Sequence, residues 1–229
     1  MTGAEDIVPF AKDMLWSYAL VFLRVGPVIS LFPGFGESTV PVRIKLALAL
    51  AVTAILTPAI LPQLSPPGPS ILALIISETA IGLVLGIGLR VFVLALQTAG
   101  TIAGQATSLA QILGSAGVTP LPAIGHILVL GGLALAMMTG LHVQAARMIV
   151  LSYGLFPAGD LPRAGALADW GMRQVASAFA LAVTLAAPFL IVSVLYNLTL
   201  GIINRAMPQM MVVFVGAPVI TAIGIVLLL

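Results

Sequence analysis

ILALIISETAIGLVLGIGLRVFVLALQTAGTIAGQATSLAQILG, residues Ile71–Gly114, carries two charged side chains, Glu78 and Arg90, and no proline. Its only strong interruptions are glycines, so nothing in the run stops a helix. As a single helix it would reach about 65 Å at the usual rise per residue, twice the ~30 Å hydrocarbon core of a bilayer. Either the run bends back at Gly100 or Gly104, or its helix stands well outside an ordinary bilayer. A strand reading fails, because spanning barrels alternate apolar and polar residues over segments of about ten, whereas this run is continuously apolar. The fold class is all-α.

The rest of the chain repeats the pattern. It is 61% hydrophobic and 7% charged, with a mean hydropathy of +1.22, whereas soluble globular chains carry about 25% charge. Charged residues are absent from 46–77, 91–146, 174–204 and 206–229, each long enough to cross a bilayer as a helix. About six long apolar segments result, near Leu15–Phe32, Ile44–Leu61, Ile71–Leu96, Ile124–Val150, Val175–Ile203 and Met210–Leu229. The expected architecture is a polytopic membrane protein of kinked helical hairpins. Turn chemistry separates several segments: Pro33-Gly34-Phe35-Gly36, the proline cluster 62–69, and Pro157–Pro162. The whole chain, residues 1–229, reads as one domain, with an N-terminal hairpin region over residues 1–123 and a C-terminal hairpin region over residues 124–229.

Several classes are excluded or left without support. Residues 1–14 hold Glu5, Asp6 and Asp13 against Lys12, which is an interfacial lead-in rather than the basic leader of a signal peptide. Arg43 and Lys45 after the first span place the first loop in the cytoplasm and the N-terminus outside. With no cysteine, disulfides and thiol catalysis are ruled out. His126 and His142 lie too far apart for a helical ligand pair. No hydrolase, phosphate-loop or cofactor signature occurs, Ser115 lacks a base motif, and a formal charge of +2 makes no case for nucleic acid. The expectation is a non-enzyme without metal or cofactor.

Polar side chains fall in helical stripes. Glu78, Gly82, Gly86 and Arg90 recur every fourth residue and share a face. Glycines so spaced admit a close neighbouring helix. The two charges, about 18 Å apart along the axis, need separate partners, on another subunit or at opposite interfaces. Gln97, Thr101, Gly104, Ser108 and Gln111 form a polar heptad seam, either an inter-helix hydrogen-bond ladder or the wall of an aqueous path. The small, uncharged stretch Gly114–Ala123 follows, with Ser115, Gly117, Pro120 and Pro122. Two prolines prevent a continuous helix there, and the stretch is either a cavity plug or an ordinary connection.

Pro188 frees the carbonyl of Thr184 and predicts a kink. Downstream, Ser193, Asn197, Gly201 and Arg205 repeat at four and lead into Asn204-Arg205-Ala206-Met207-Pro208-Gln209, a polar hexad between apolar runs. Polar groups so placed find partners, water or a joint between subunits. The face reads as a subunit or domain contact, with a lipid-phosphate anchor for Arg205 as the plainer alternative.

Asn204–Pro218, NRAMPQMMVVFVGAP, resembles the FliR family of flagellar type III export-gate subunits. The resemblance extends to Arg24, Pro27, Pro33, Pro41 and Arg43, to Glu78–Gly82 with Gly86, to Gly140-Leu141-His142, and to Ser152-Tyr153 before Pro157. It covers nearly the whole chain. Met211 departs from the family's usual Asn. The chain ends at Leu227-Leu228-Leu229 inside an apolar run where the family goes on, which reads as a shortened C-terminus.

The resemblance implies a single-copy subunit that joins several copies of two smaller membrane subunits in a cone-like gate at the flagellar basal body of the bacterial inner membrane. It implies unfolded flagellar proteins as cargo, a substrate-specificity switch protein as a further partner, and lipid around the rim. A plug-forming loop carries over onto residues 104–123. On this reading Gln97, Thr101, Gly104, Ser108, Gln111, Gly114, Ser115, Gly117, Pro120 and Pro122 form the gate. Glu78, Gly82, Gly86, Arg90, Asn197, Asn204, Arg205, Met207, Pro208 and Gln209 make assembly contacts. The alternatives are the homologous virulence injectisome subunit and a secondary transporter. A transporter calls for a paired half-chain repeat, and none is evident.

Overall fold

A computed structural model describes residues 7–37, 39–64, 70–107, 123–207 and 212–228. Its described residues fold as seven α-helices: α1 Ile7–Leu31, α2 Val42–Ile60, α3 Ile71–Thr107, α4 Ala123–Met138, α5 Leu141–Leu155, α6 Ala164–Ala206 and α7 Val212–Val226. A single 3₁₀ turn, Leu61–Gln63, extends α2. By length and apolarity, four helices suit a membrane crossing, or five with α4 and α5 counted as one bent span. The fold is all-α and polytopic.

Helix ends follow the local chemistry. After α1 the chain turns at Gly34, whose φ of 84° suits a residue without Cβ, and the Gly36 amide donates to the Phe32 carbonyl. Pro41, with φ −57°, precedes the first turn of α2. Inside α2 the buried hydroxyls of Thr53 and Thr57 donate to carbonyls four residues back, each at 2.7 Å, so burial leaves neither donor unmet.

α3 runs without a break through Gly100 and Gly104 over 37 residues, or about 55 Å. It therefore takes the long-helix alternative as far as Thr107. The segment Ile124–Val150 is not one helix. Gly140 adopts a left-handed φ of 85°, the αL conformation that ends helices. α4 and α5 meet there at a 64° bend. α6 starts at Ala164, well before the apolar run at Val175, because a helix continues through charged residues such as Asp169 and Arg173 when they face outward; both are exposed. It contains 43 residues, about 65 Å, and passes through Pro188.

Two compact units emerge, Met1–Val91 with Ala136–Arg173, and Phe92–Leu135 with Gln174–Leu229. The division is interleaved along the chain. In the first unit α1 packs on α2, and α2 on α5, around a core that includes Val21, Val25, Val28, Ile60, Ile149 and Tyr153. In the second, Ala103 of α3 packs with Phe189 of α6. There Gly100 sits so close to Gly125 that a Cβ would lie 2.7 Å from the Gly125 Cα.

Candidate functional site

Arg24 lies mid-way along the first apolar segment, where a cation needs full compensation. The structure provides it from three directions. Arg24 Nε donates to Glu78 Oε2 at 2.8 Å and Nη2 to Glu78 Oε1 at 2.9 Å. Nη1 donates to the Ser152 hydroxyl at 2.9 Å, and Nη2 also to the Phe156 carbonyl at 3.0 Å. The guanidinium carbon stands 3.6 Å from the centre of the Tyr153 ring, a cation–π contact. Both charged side chains are fully buried. The Tyr153 hydroxyl is also buried, with no hydrogen-bond partner among the described residues.

This cluster ties α1, α3 and the C-terminal half of α5 into one unit. The glycine face makes it possible. A Cβ on Gly82 would run into the backbone carbonyl of Arg24, and one on Gly86 would lie 3.1 Å from the Pro27 carbonyl and 3.0 Å from the Leu31 side chain. The close neighbour that the spacing demands is thus α1 of the same chain, where spacing alone points equally to another subunit. Arg90 is likewise engaged within the chain, with Nη1 2.7 Å from Glu37 Oε1. Glu78, Gly82, Gly86 and Arg90 thus each have a partner or close neighbour within the first unit.

The seam is described as far as Gly104. Gln97 and Thr101 are half-buried and Gly104 buried, and the Thr101 hydroxyl donates to the Gln97 carbonyl at 2.8 Å. Ser108, Gln111, Gly114, Ser115, Gly117, Pro120 and Pro122 lie outside the described residues, as do Pro208 and Gln209. On α6, Ser193 is buried and the Asn197 amide donates to its carbonyl at 2.8 Å. One turn on, a Cβ at Gly201 would meet no atom within 4 Å. Asn204, Arg205 and Met207 are exposed at the end of the helix.

Periodicity assigns no role to Arg24, Ser152, Tyr153 or Glu37. A signal for Arg24 was present, since an arginine inside an apolar run implies a buried anion and Glu78 is the one carboxylate within an apolar stretch. Ser152 and Tyr153 stood out only through the family resemblance and the Phe156 carbonyl not at all, because a hydroxyl or a carbonyl is unremarkable until its neighbour is known.

The chain matches the family described as "Bacterial export proteins, family 1" over residues 15–229. It is 36% identical over 215 residues to the flagellar biosynthetic protein FliR of Caulobacter vibrioides, covering 92% of this chain and 86% of that one. The chain belongs to the FliR family of bacterial export proteins. Other FliR proteins align along a similar extent: that of Escherichia coli is 30% identical over 91% of this chain and 81% of its own length, and that of Bacillus subtilis 27% over 95% and 86%. The second unit of this FliR-family chain, the first unit from residue 15 onward, the Arg24 cluster and the α6 edge fall within the matched span.

Proposed function

We propose that the chain is a structural and gating subunit of the flagellar type III export channel, passing unfolded flagellar proteins across the bacterial inner membrane at the basal body. Similarity to FliR proteins along nine-tenths of the chain carries this reading, and their flagellar names favour it over the injectisome alternative. The subunit acts as a non-enzymatic scaffold, present once, with the other gate membrane subunits and the substrate-specificity switch protein as partners.

The fold supports a division of labour. Since Glu78, Gly82, Gly86 and Arg90 are engaged inside the first unit, contact with other subunits falls to the α6 edge: Asn197, Gly201, Asn204, Arg205 and Met207, continuing into Pro208 and Gln209. An open Gly201 face on a long apolar helix suits close approach by another helix. Gating falls to Gln97, Thr101 and Gly104 with the stretch from Ser108 to Pro122.

Mild detergent purification tests the reading. A stable complex with the two smaller gate subunits is expected, and Arg205→Ala should reduce its yield while leaving the melting temperature of the isolated chain unchanged. A lone chain that binds a small solute instead would sink the proposal.

A further inference from the structure

One end of the first unit concentrates positive charge. Gly34 lies against the Met137 methyl near the end of α4, at 3.7 Å from its would-be Cβ. Lys45 Nζ donates to the Gly36 carbonyl at 3.1 Å, and α3 reaches the same loop where Arg90 meets Glu37. α5 starts just after Met137 and comes level with Arg24 only at Ser152, so Arg147 lies toward this end too. Arg90 engages Glu37, Arg43 and Lys45 follow the same loop at the start of α2, and Arg147 lies one to two turns before Ser152 on the side of α5 that leads back toward this loop.

Two of these cations are left over. Arg43 and Arg147 are exposed, and among the described residues neither makes an ion pair. Exposed aliphatic side chains flank both, with the exposed Gln144 also one turn from Arg147. Arg43 stands between Val42, 79% exposed, and Ile44, 55% exposed; beside Arg147, one helical turn away, Val143 is 44% and Leu151 68% exposed. A guanidinium among exposed aliphatic side chains fits the boundary where acyl chains meet headgroups, with the stem in the apolar layer and the charge at the phosphates. Its planar fork matches phosphate oxygens two at a time.

We propose that Arg43 and Arg147 each hold the phosphate of an anionic phospholipid headgroup, anchoring this end of the first unit at the membrane boundary. The purified full chain, passed through size-exclusion chromatography in detergent with equal phosphatidylglycerol and phosphatidylcholine, should retain the anionic lipid preferentially. Arg43→Gln and Arg147→Gln should each lower that preference by about fivefold, with melting in plain detergent unchanged because neither side chain loses a partner. Equal retention of both lipids by the wild type overturns the proposal. So does an equal drop in Arg163→Gln, which would make the preference an effect of net charge. Displacement of the lipid by millimolar inorganic phosphate would reduce the positions to free-anion sites and overturns the lipid assignment. Unchanged lipid ratios together with a lost subunit complex in either variant would assign the arginines to a protein carboxylate, which also overturns it.

Discussion

Arg24 and Glu78 form a two-contact ion pair, 2.8 and 2.9 Å, that is completely shut off from solvent. Such a pair is a poor source of net stability, because desolvation offsets the attraction, but half of it alone is costly. Arg24→Ala leaves the Glu78 carboxylate buried and unpaired, and Glu78→Ala strands the guanidinium, so each should destabilise the isolated chain by about 3–5 kcal/mol. Arg24→Met with Glu78→Leu should recover most of that loss. Reversing the pair should not, since a glutamate at 24 would face the Phe156 carbonyl, which accepts and cannot donate. Thermal unfolding in detergent reads all four, and a reversed pair as stable as the wild type would contradict this account of the cluster.

The glycines should rank by what a methyl group would strike. At Gly82 it strikes the Arg24 backbone, and at Gly100 the backbone of Gly125, neither of which yields without moving a helix, so alanine there should cost about 1–3 kcal/mol. At Gly86 the nearest atom belongs to the flexible Leu31 side chain, and the gain in helix propensity, about 1 kcal/mol, offsets much of the crowding. Gly201 faces open space, so alanine should stabilise the isolated chain slightly while weakening any complex that uses the face. Melting temperatures ordered Gly201→Ala, Gly86→Ala, then Gly82→Ala from high to low are the expected result.

How much of this was legible depends on range. Continuous apolarity and charge-free runs establish helices in a membrane because they reflect one element at a time. The Glu78–Arg90 face was legible for the same reason, since four-residue spacing is a property of a single helix. Its partner was not, because choosing between α1 and another subunit requires knowing that α1 passes within van der Waals range. Gly140 shows a different failure: a glycine inside an apolar run looks like any other until its φ is seen, and Gly131 and Gly132 just upstream sit inside α4 without breaking it. The Arg24 cluster draws on residues as far as 132 apart in sequence, beyond any periodicity.

Arg90 and Glu37 offer a contrast to the buried pair. Their side chains are 27% and 31% exposed, so solvent screens the contact and its worth falls to about 0–1 kcal/mol. Glu37→Gln should lower the melting temperature only slightly, and the difference from wild type should shrink as salt is raised. A loss as large as that of Glu78→Ala, or one indifferent to salt, would show that this contact does more than hold the Pro33–Pro41 loop.

The stretch between α3 and α4 gives the sharpest test of gating. Ser115, Gly117, Pro120 and Pro122 follow a seam whose first members, Gln97 and Thr101, are only half-buried, while the stretch itself carries no charge to bind it to headgroups or to water. Small apolar residues broken by proline suit filling a channel mouth, since they exclude water without a fixed helical shape. Deleting Ser115–Pro120 should therefore raise ion leakage through the assembled gate, measured as dye release or conductance in vesicles. It should do so without reducing the yield of complex, since the edge proposed for assembly lies on α6. An unchanged leak in a fully assembled complex would assign the stretch to connection rather than closure.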